Sequence, residues 1–223
     1  CRVAFACRVA GRLGAVRSCL LPKKVGHLMR DSITLDSTRL QRLQQTPLWD
    51  FALALYARPG VEAACLTLQD QGGQDVCEVL FHCWLYASGL EVLPDAVARQ
   101  REQRLQWQGR VTEVLRSLRR ELKASAASSE SVKALRETIK QAELMAEREN
   151  LQRWQMWVYE PNGGEQRVRN IAENPQSSAI WLRNQLSTLK NETQSGPHLN
   201  DQAALLEALQ TLTCQLDPRQ GAR

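Results

Sequence analysis

No apolar run in this 223-residue sequence approaches the roughly 20 residues a helix needs to cross a bilayer; the longest lies around Val79–Tyr86. A membrane-spanning role is therefore not expected. There is no Gly-x-Ser-x-Gly elbow, and the Gly-Gly pairs close helices instead of following strands, so neither an activated serine nor a phosphate loop can be assigned. No two cysteines form a Cys-x-x-Cys pair, and only three histidines are present, which leaves little from which to build a metal centre. Alternation of apolar and polar residues with period two is absent at any useful length, so no sheet is expected.

Basic charge is also scarcer than it looks. The net charge is +5, yet residues 1–28 hold six basic side chains and no acid, which leaves 23 basic against 24 acidic from Met29 onward. A general affinity for nucleic acid would rest on that first segment alone. The first methionine is Met29, and the favoured reading is a start there, with 1–28 an upstream extension. The alternatives weighed are a basic, acid-poor targeting peptide and a lipoprotein whose mature end is Cys1. Outside that segment four cysteines remain, Cys65, Cys77, Cys83 and Cys214, read as reduced, buried thiols of a cytoplasmic protein.

What is present is helical. Hydrophobic residues make up 43% and charged ones 24%, enough for a packed core and a solvated surface. Residues 31–45 carry leucines too sparse to demand burial and read as a frayed lead-in, so 1–45 is taken as an extension. Thr46 is a cap and Pro47 the first helical residue of a helix whose run Leu48–Tyr56 is apolar on most sides, so it should be deeply buried. Arg58-Pro59-Gly60 breaks it, a second helix follows to Gln71, and Gly72-Gly73 ends that one. Asp75 with Glu78 forms a capping-box pattern for a third helix, which Gly89 closes.

Two longer amphipathic helices follow, from Pro94 to about Ala124 and from about Glu130 to Val158. Leu105, Val111, Val114, Leu115, Leu118 and Leu122 mark one apolar stripe; Val132, Leu135, Ile139, Ala142, Met145 or Ala146, Leu151 and Trp154 mark the other. A short Ser/Ala link between them predicts an antiparallel hairpin, without the strict heptads of a long coiled coil. Glu160-Pro161-Asn162-Gly163-Gly164 is the clearest break. Segments Asn174–Lys190 and Leu199–Leu216 then predict two C-terminal helices, separated by Gly196-Pro197. The expected fold is all-α: a compact three-helix core, a long helical hairpin and two further C-terminal helices. The domain reading is 46–158 for the helical domain with its hairpin and 159–223 for the C-terminal segment.

Four stretches carry a family likeness. They are Leu48-Trp49-Asp50-Phe51-Ala52-Leu53-Ala54-Leu55-Tyr56 with Pro59-Gly60-Val61, the apolar Val79–Leu85, the basic Val111–Lys123, and Ala142–Arg148. Over about 46–155 the chain resembles a family of small bacterial helical proteins catalogued as a domain of unknown function. The resemblance implies a cytoplasmic bacterial protein with a helical fold and transfers no catalytic residue. His82-Cys83 departs from it, since plainer apolar residues are expected there.

Candidate chemistry is thin. Glu78 and His82, four apart on one helix, could face one ion, but Cys77 and Cys83 project elsewhere; a half-buried histidine capped by a neighbouring acid is the simpler reading, and no metal or cofactor is expected. The cysteines lack basic neighbours that would activate them, and no enzyme is expected. Between Pro94 and Ala124 eight basic residues stand against four acids, with Arg116, Arg119 and Lys123 on one stripe. That stripe either contacts RNA or DNA phosphates or pairs with Glu137, Glu143, Glu147 and Glu149 across the hairpin. Aromatic interleaving for stacking bases is limited to Trp107. Six tryptophans are mostly core residues, but an exposed pair at Trp154 and Trp157 would suit a protein contact. The sequence thus predicts a non-catalytic protein-binding or adaptor module, with nucleic-acid association through the basic stripe as the alternative.

Overall fold

Proline, glycine and one capping aspartate set the boundaries of the core helices. The computed structural model describes residues 37–159, 166–171, 177–186 and 199–216. The expected start at Met29, His27, His198, the breaks at 160–164 and 196–197, and the helix start at 174–175 lie outside the described residues. Helix α1 spans Ser37–Gln45 and α2 spans Leu48–Tyr56. The α2 start falls one residue later than expected: Pro47, extended at ψ 142°, takes the cap position and Thr46 does not cap the helix, while the Thr46 carbonyl accepts from Trp84 Nε1 at 2.8 Å. Instead Gln155 Oε1 reaches back and takes the Leu48 N–H at 2.6 Å. Gly60, at φ +80°, opens α3 (Val61–Asp70), and a Cβ there would stand 3.0 Å from Thr211. Both the left-handed turn and the close approach of the C-terminal helix require glycine.

Helix α4 (Val76–Ala87) starts where Asp75 accepts from the Cys77 N–H at 2.9 Å. The second half of the expected capping box is not made, since Glu78 turns to His82 and Arg101 instead of back to the cap. Gly89, at φ +76°, closes α4 as expected. Then come β1 (Leu90–Val92), α5 (Pro94–Trp107), a π-helical turn (Gln108–Thr112), α6 (Glu113–Glu121), a 3₁₀ turn (Ser125–Ala127) and α7 (Glu130–Tyr159). After these lie β2 (Val168–Asn170), α8 (Ser178–Gln185) and α9 (Leu199–Leu216).

The fold is all-α apart from one small feature that the sequence reading missed. β1 and β2 pair antiparallel, Leu90 with Asn170, Glu91 with Arg169 and Val92 with Val168. Each strand has three residues and β1 is buried along its whole length, so no alternation could announce it. Glu91 binds the pairing to α8, accepting from Arg169 Nε and from Trp181 Nε1, both at 2.7 Å.

Two further expectations need correction. The 31–45 segment is not a loose lead-in over its last nine residues: α1 buries Leu43 completely, and Tyr159 donates to the Leu43 carbonyl at 3.0 Å. Nor is α2 buried on most sides. Leu48, Ala52, Leu55 and Tyr56 face inward, while Leu53 is exposed and Trp49 and Phe51 are half-buried. The core is larger than three helices. α4 is buried from Val76 to Leu85, and around it pack Leu43 of α1, Leu151 and Trp154 of α7, Leu182 of α8 and Leu209 and Leu212 of α9. The C-terminal helices therefore pack back on the core. Cys65, Cys77 and Cys83 are buried and free as expected, but Cys214 is exposed. Among the described residues, no single helix is long and apolar enough to cross a membrane.

Candidate functional site

The hairpin of α6 and α7 departs in part from the expected arrangement of its side chains. Its two apolar stripes should meet, and Ile139, Ala146, Leu151 and Trp154 are buried, yet Leu105, Val114, Leu118 and Leu135 are between 42% and 57% exposed. Facing inward are Ile139 and Ala146 of α7 together with a set of polar residues, Thr112 and Arg116 from the first arm and Glu143, Glu147 and Asn150 from the second. The π-helical turn explains part of this. It widens the helix at 108–112, so residues before and after it no longer follow one 3.6-residue stripe.

Ion pairs seal this interior. Arg116 donates through Nε to Glu143 Oε1 at 3.0 Å, through Nη2 to Glu147 Oε1 at 3.1 Å and through Nη1 to Glu113 Oε2 at 2.9 Å. Arg119 Nε reaches Glu143 Oε2 at 2.5 Å, and Arg136 Nε donates to the Arg119 carbonyl at 3.1 Å. The seam continues into the body of the protein. Asn150 Nδ2 donates to the Asp75 carboxylate at 3.4 Å, and the Cys77 thiol points at the Glu147 carbonyl, 3.9 Å away. At its base Trp107 Nε1 donates to the Ala146 carbonyl at 3.1 Å, with the Arg153 guanidinium 3.9 Å over its ring.

Charges in this seam are not equally comfortable. Burial works against the Arg116 guanidinium, but hydrogen bonding to Glu143 and the fields of Glu147 and Glu113 more than offset it and hold it charged. Glu147 goes the other way. Burial pushes its carboxyl up to about 7, against the pull of Arg116, with Glu143 and Asp75 adding like charge. The two directions are compatible because Arg116 serves three carboxylates and Glu147 receives only one of its N–H groups. Burial likewise pushes Asp75 up to about 6, despite the Cys77 N–H it accepts.

The outer flanks of the hairpin differ from each other. Helical spacing places Glu113 and Arg120 on one side of α6, where they pair at 3.5 Å, and Glu137 and Lys140 on the matching side of α7, where they pair at 3.1 Å. On the opposite side lie Leu115, Leu118 and Leu122 of the first arm and Leu135 and Ala142 of the second. Leu118 and Leu135 are exposed and the other three half-buried. The hairpin is ion-paired within, ion-paired on one flank and apolar on the other.

These positions decide how the residues singled out in the sequence stand. Of the basic stripe, Arg116 is buried and Arg119 nearly so, both bound to Glu143; only Lys123 is exposed. The expected pairing across the hairpin is made by Glu143 and Glu147, whereas Glu137 pairs with Lys140 and Glu149 with Arg153 on their own helix. Trp154 and Trp157 are not an exposed pair. Trp154 is fully buried and stacked on Phe81 at 4.5 Å, with Trp157, half-buried, set edge-on to it at 6.0 Å. Glu78 and His82 do meet, His82 Nε2 lying 3.5 Å from Glu78 Oε1, but the histidine is wholly buried rather than half-buried. Arg101 fills the remaining side of that carboxylate at 2.6 Å. Burial alone would raise the Glu78 carboxyl; the hydrogen bonds from His82 and Arg101 hold it below its ordinary value. Burial pushes the Cys65 thiol up to about 12 and raises Cys77 and Cys83 as well, which keeps them protonated and unreactive.

The sequence reading held the pairing across the hairpin as one of two options but not its burial. The signal for that was the pair of acids Glu143 and Glu147, placed four apart on the inner face of α7. Among curated proteins and among solved structures, none matches this sequence. Residues 47–154, which hold α2 to α5, the hairpin and most of α7, match the model of a family described as Protein of unknown function (DUF2390).

Proposed function

We propose that the chain is a non-catalytic, cytoplasmic protein-binding module whose contact surface is the apolar flank of the hairpin. The observation that carries this reading is the exposure of Leu118 and Leu135 on an arm whose interior is already closed by ion pairs. Singly exposed apolar side chains are ordinary, but here Leu118 and Leu135 share one flank with the half-buried Leu115, Leu122 and Ala142, and a contiguous apolar flank marks an interaction surface. The partner is a protein segment that presents an apolar ridge of its own, such as one face of an amphipathic helix. A phosphate-binding role for the basic stripe has less behind it, because Arg116 and Arg119 are committed to Glu143.

The test is a capture experiment on the full chain, with nuclease treatment, against the double variant Leu118→Gln and Leu135→Gln. The two substitutions leave the helical circular dichroism unchanged, since neither side chain is buried. Capture of a stoichiometric protein partner should survive nuclease and fall by at least about tenfold in the variant, the equivalent of some 1.4 kcal/mol. Equal capture by both proteins, or recovery of nucleic acid that the variant retains, would overturn the reading.

A further inference from the structure

Within the seam, two acceptor oxygens lie buried with no donor among the described residues: Glu147 Oε2 and Asn150 Oδ1. They sit three apart on α7, spacing that brings side chains together on one helix face. The orientation of the Asn150 amide is fixed, because its Nδ2 donates to the Asp75 carboxylate, which cannot donate in return when ionised. Two buried acceptors without a donor are costly, and a single proton on Glu147 removes the problem for both.

We propose that Glu147 is a neutral carboxylic acid that donates from Oε2 to the Asn150 amide oxygen, and that loss of this proton loosens the hairpin from the body. Every charged group around the site fits such a latch. From α6, Arg116 holds Glu147 Oε1 at 3.1 Å and shares itself with Glu113. From α7 itself comes the like charge of Glu143, and from the start of α4 that of Asp75 with the Cys77 thiol. From α2 the buried Tyr56 lies within the field of Glu147, and from α5 Arg104 lies within that of Asp75. Ionising Glu147 thus adds a third buried carboxylate beside two others, and leaves Asn150 Oδ1 without its donor.

The direction with pH follows from linkage. The Glu147 carboxyl is raised from an ordinary 4.5 to about 7, so the folded state binds the proton more tightly than the unfolded chain. Its stabilising effect is complete below about pH 4.5 and is lost as pH rises through about 7. Asp75, raised from 3.8 to about 6, adds in the same sense over a lower window. The hairpin is therefore held more tightly in mild acid than in mild alkali.

As a control on the contact flank the latch rests on the function proposed above, but it can be tested with no partner present. Amide hydrogen exchange of α6 and the first half of α7 is followed on the full chain from pH 5.5 to 8.5, with rates corrected for intrinsic exchange. Protection should fall by roughly tenfold or more across about pH 7. In Glu147→Gln, where an uncharged amide supplies the donor, the fall across about pH 7 should be absent, leaving only the smaller dependence of Asp75 at lower pH. An infrared difference spectrum of the unaltered chain should also contain a carboxylic-acid carbonyl band at pH 6 that is absent at pH 8.5. Level protection in the unaltered chain, the same pH dependence in Glu147→Gln, or no acid band at pH 6 would each overturn the proposal, whatever the hairpin binds.

Discussion

Above about pH 7, where Glu147 is ionised, replacing Arg116 with alanine should lower the stability of the fold by about 3–5 kcal/mol, because it strands buried carboxylates without removing them. Arg116 touches three acids, two of which, Glu143 and Glu147, are almost completely buried. Glu143 would keep Arg119, but Glu147 would keep no cation in hydrogen-bond contact. The loss is measured as a drop in urea midpoint, with α6 and the first half of α7 becoming exchange-labile first. A companion variant sharpens the argument. Arg116→Met combined with Glu143→Leu and Glu147→Gln removes both sides of the seam and should recover most of the stability. If the single variant loses under 1 kcal/mol, or the triple variant loses as much as the single, the seam does not hold the hairpin.

Trp154→Ala should cost a similar amount, about 3–5 kcal/mol, by a different route. The ring is fully buried, stacked on Phe81 at 4.5 Å and an 18° interplanar angle, with Trp157 edge-on. Truncation would open a cavity at the junction of α4 and α7, and the surrounding helices are too well braced to close it. Urea unfolding with a lowered midpoint and retained m-value would register this as a pure stability loss. A stable Trp154→Ala protein that had lost a binding partner would return this tryptophan to the contact role first read for it.

The short core helices were legible because their ends are written in backbone chemistry. Pro47, Gly60, Asp75 and Gly89 each act locally, and a local rule needs no knowledge of neighbours. The existence of the hairpin was legible for the same reason, through the polar link at 125–129. Its interior was not. Periodicity reveals that a stripe exists on a helix; it is silent on which neighbour covers that stripe, and here nothing covers Leu118 or Leu135 among the described residues. The π-helical turn adds a register change that a 3.6-residue count passes over. Leu43 was missed because its burial depends on α4 and α7, far away in the chain, and the β1–β2 pairing because its partners are 76 to 80 residues apart. Arg119 was recognised as one member of a basic stripe, but pairing with Glu143 or with phosphate gives the same sequence. Only the antiparallel register separates them.

Helix α7 runs for 30 residues without a break, roughly 45 Å end to end. Its first half belongs to the hairpin and its second half, through Leu151, Trp154 and Val158, to the core. The two halves share one axis, so the arm has no joint of its own on that side; its compliance lies across the chain, at the π-helical turn. A load applied at the tip of the arm would be carried down α7 as torque on the tryptophan stack, and what binds at one end would be felt mechanically at the other.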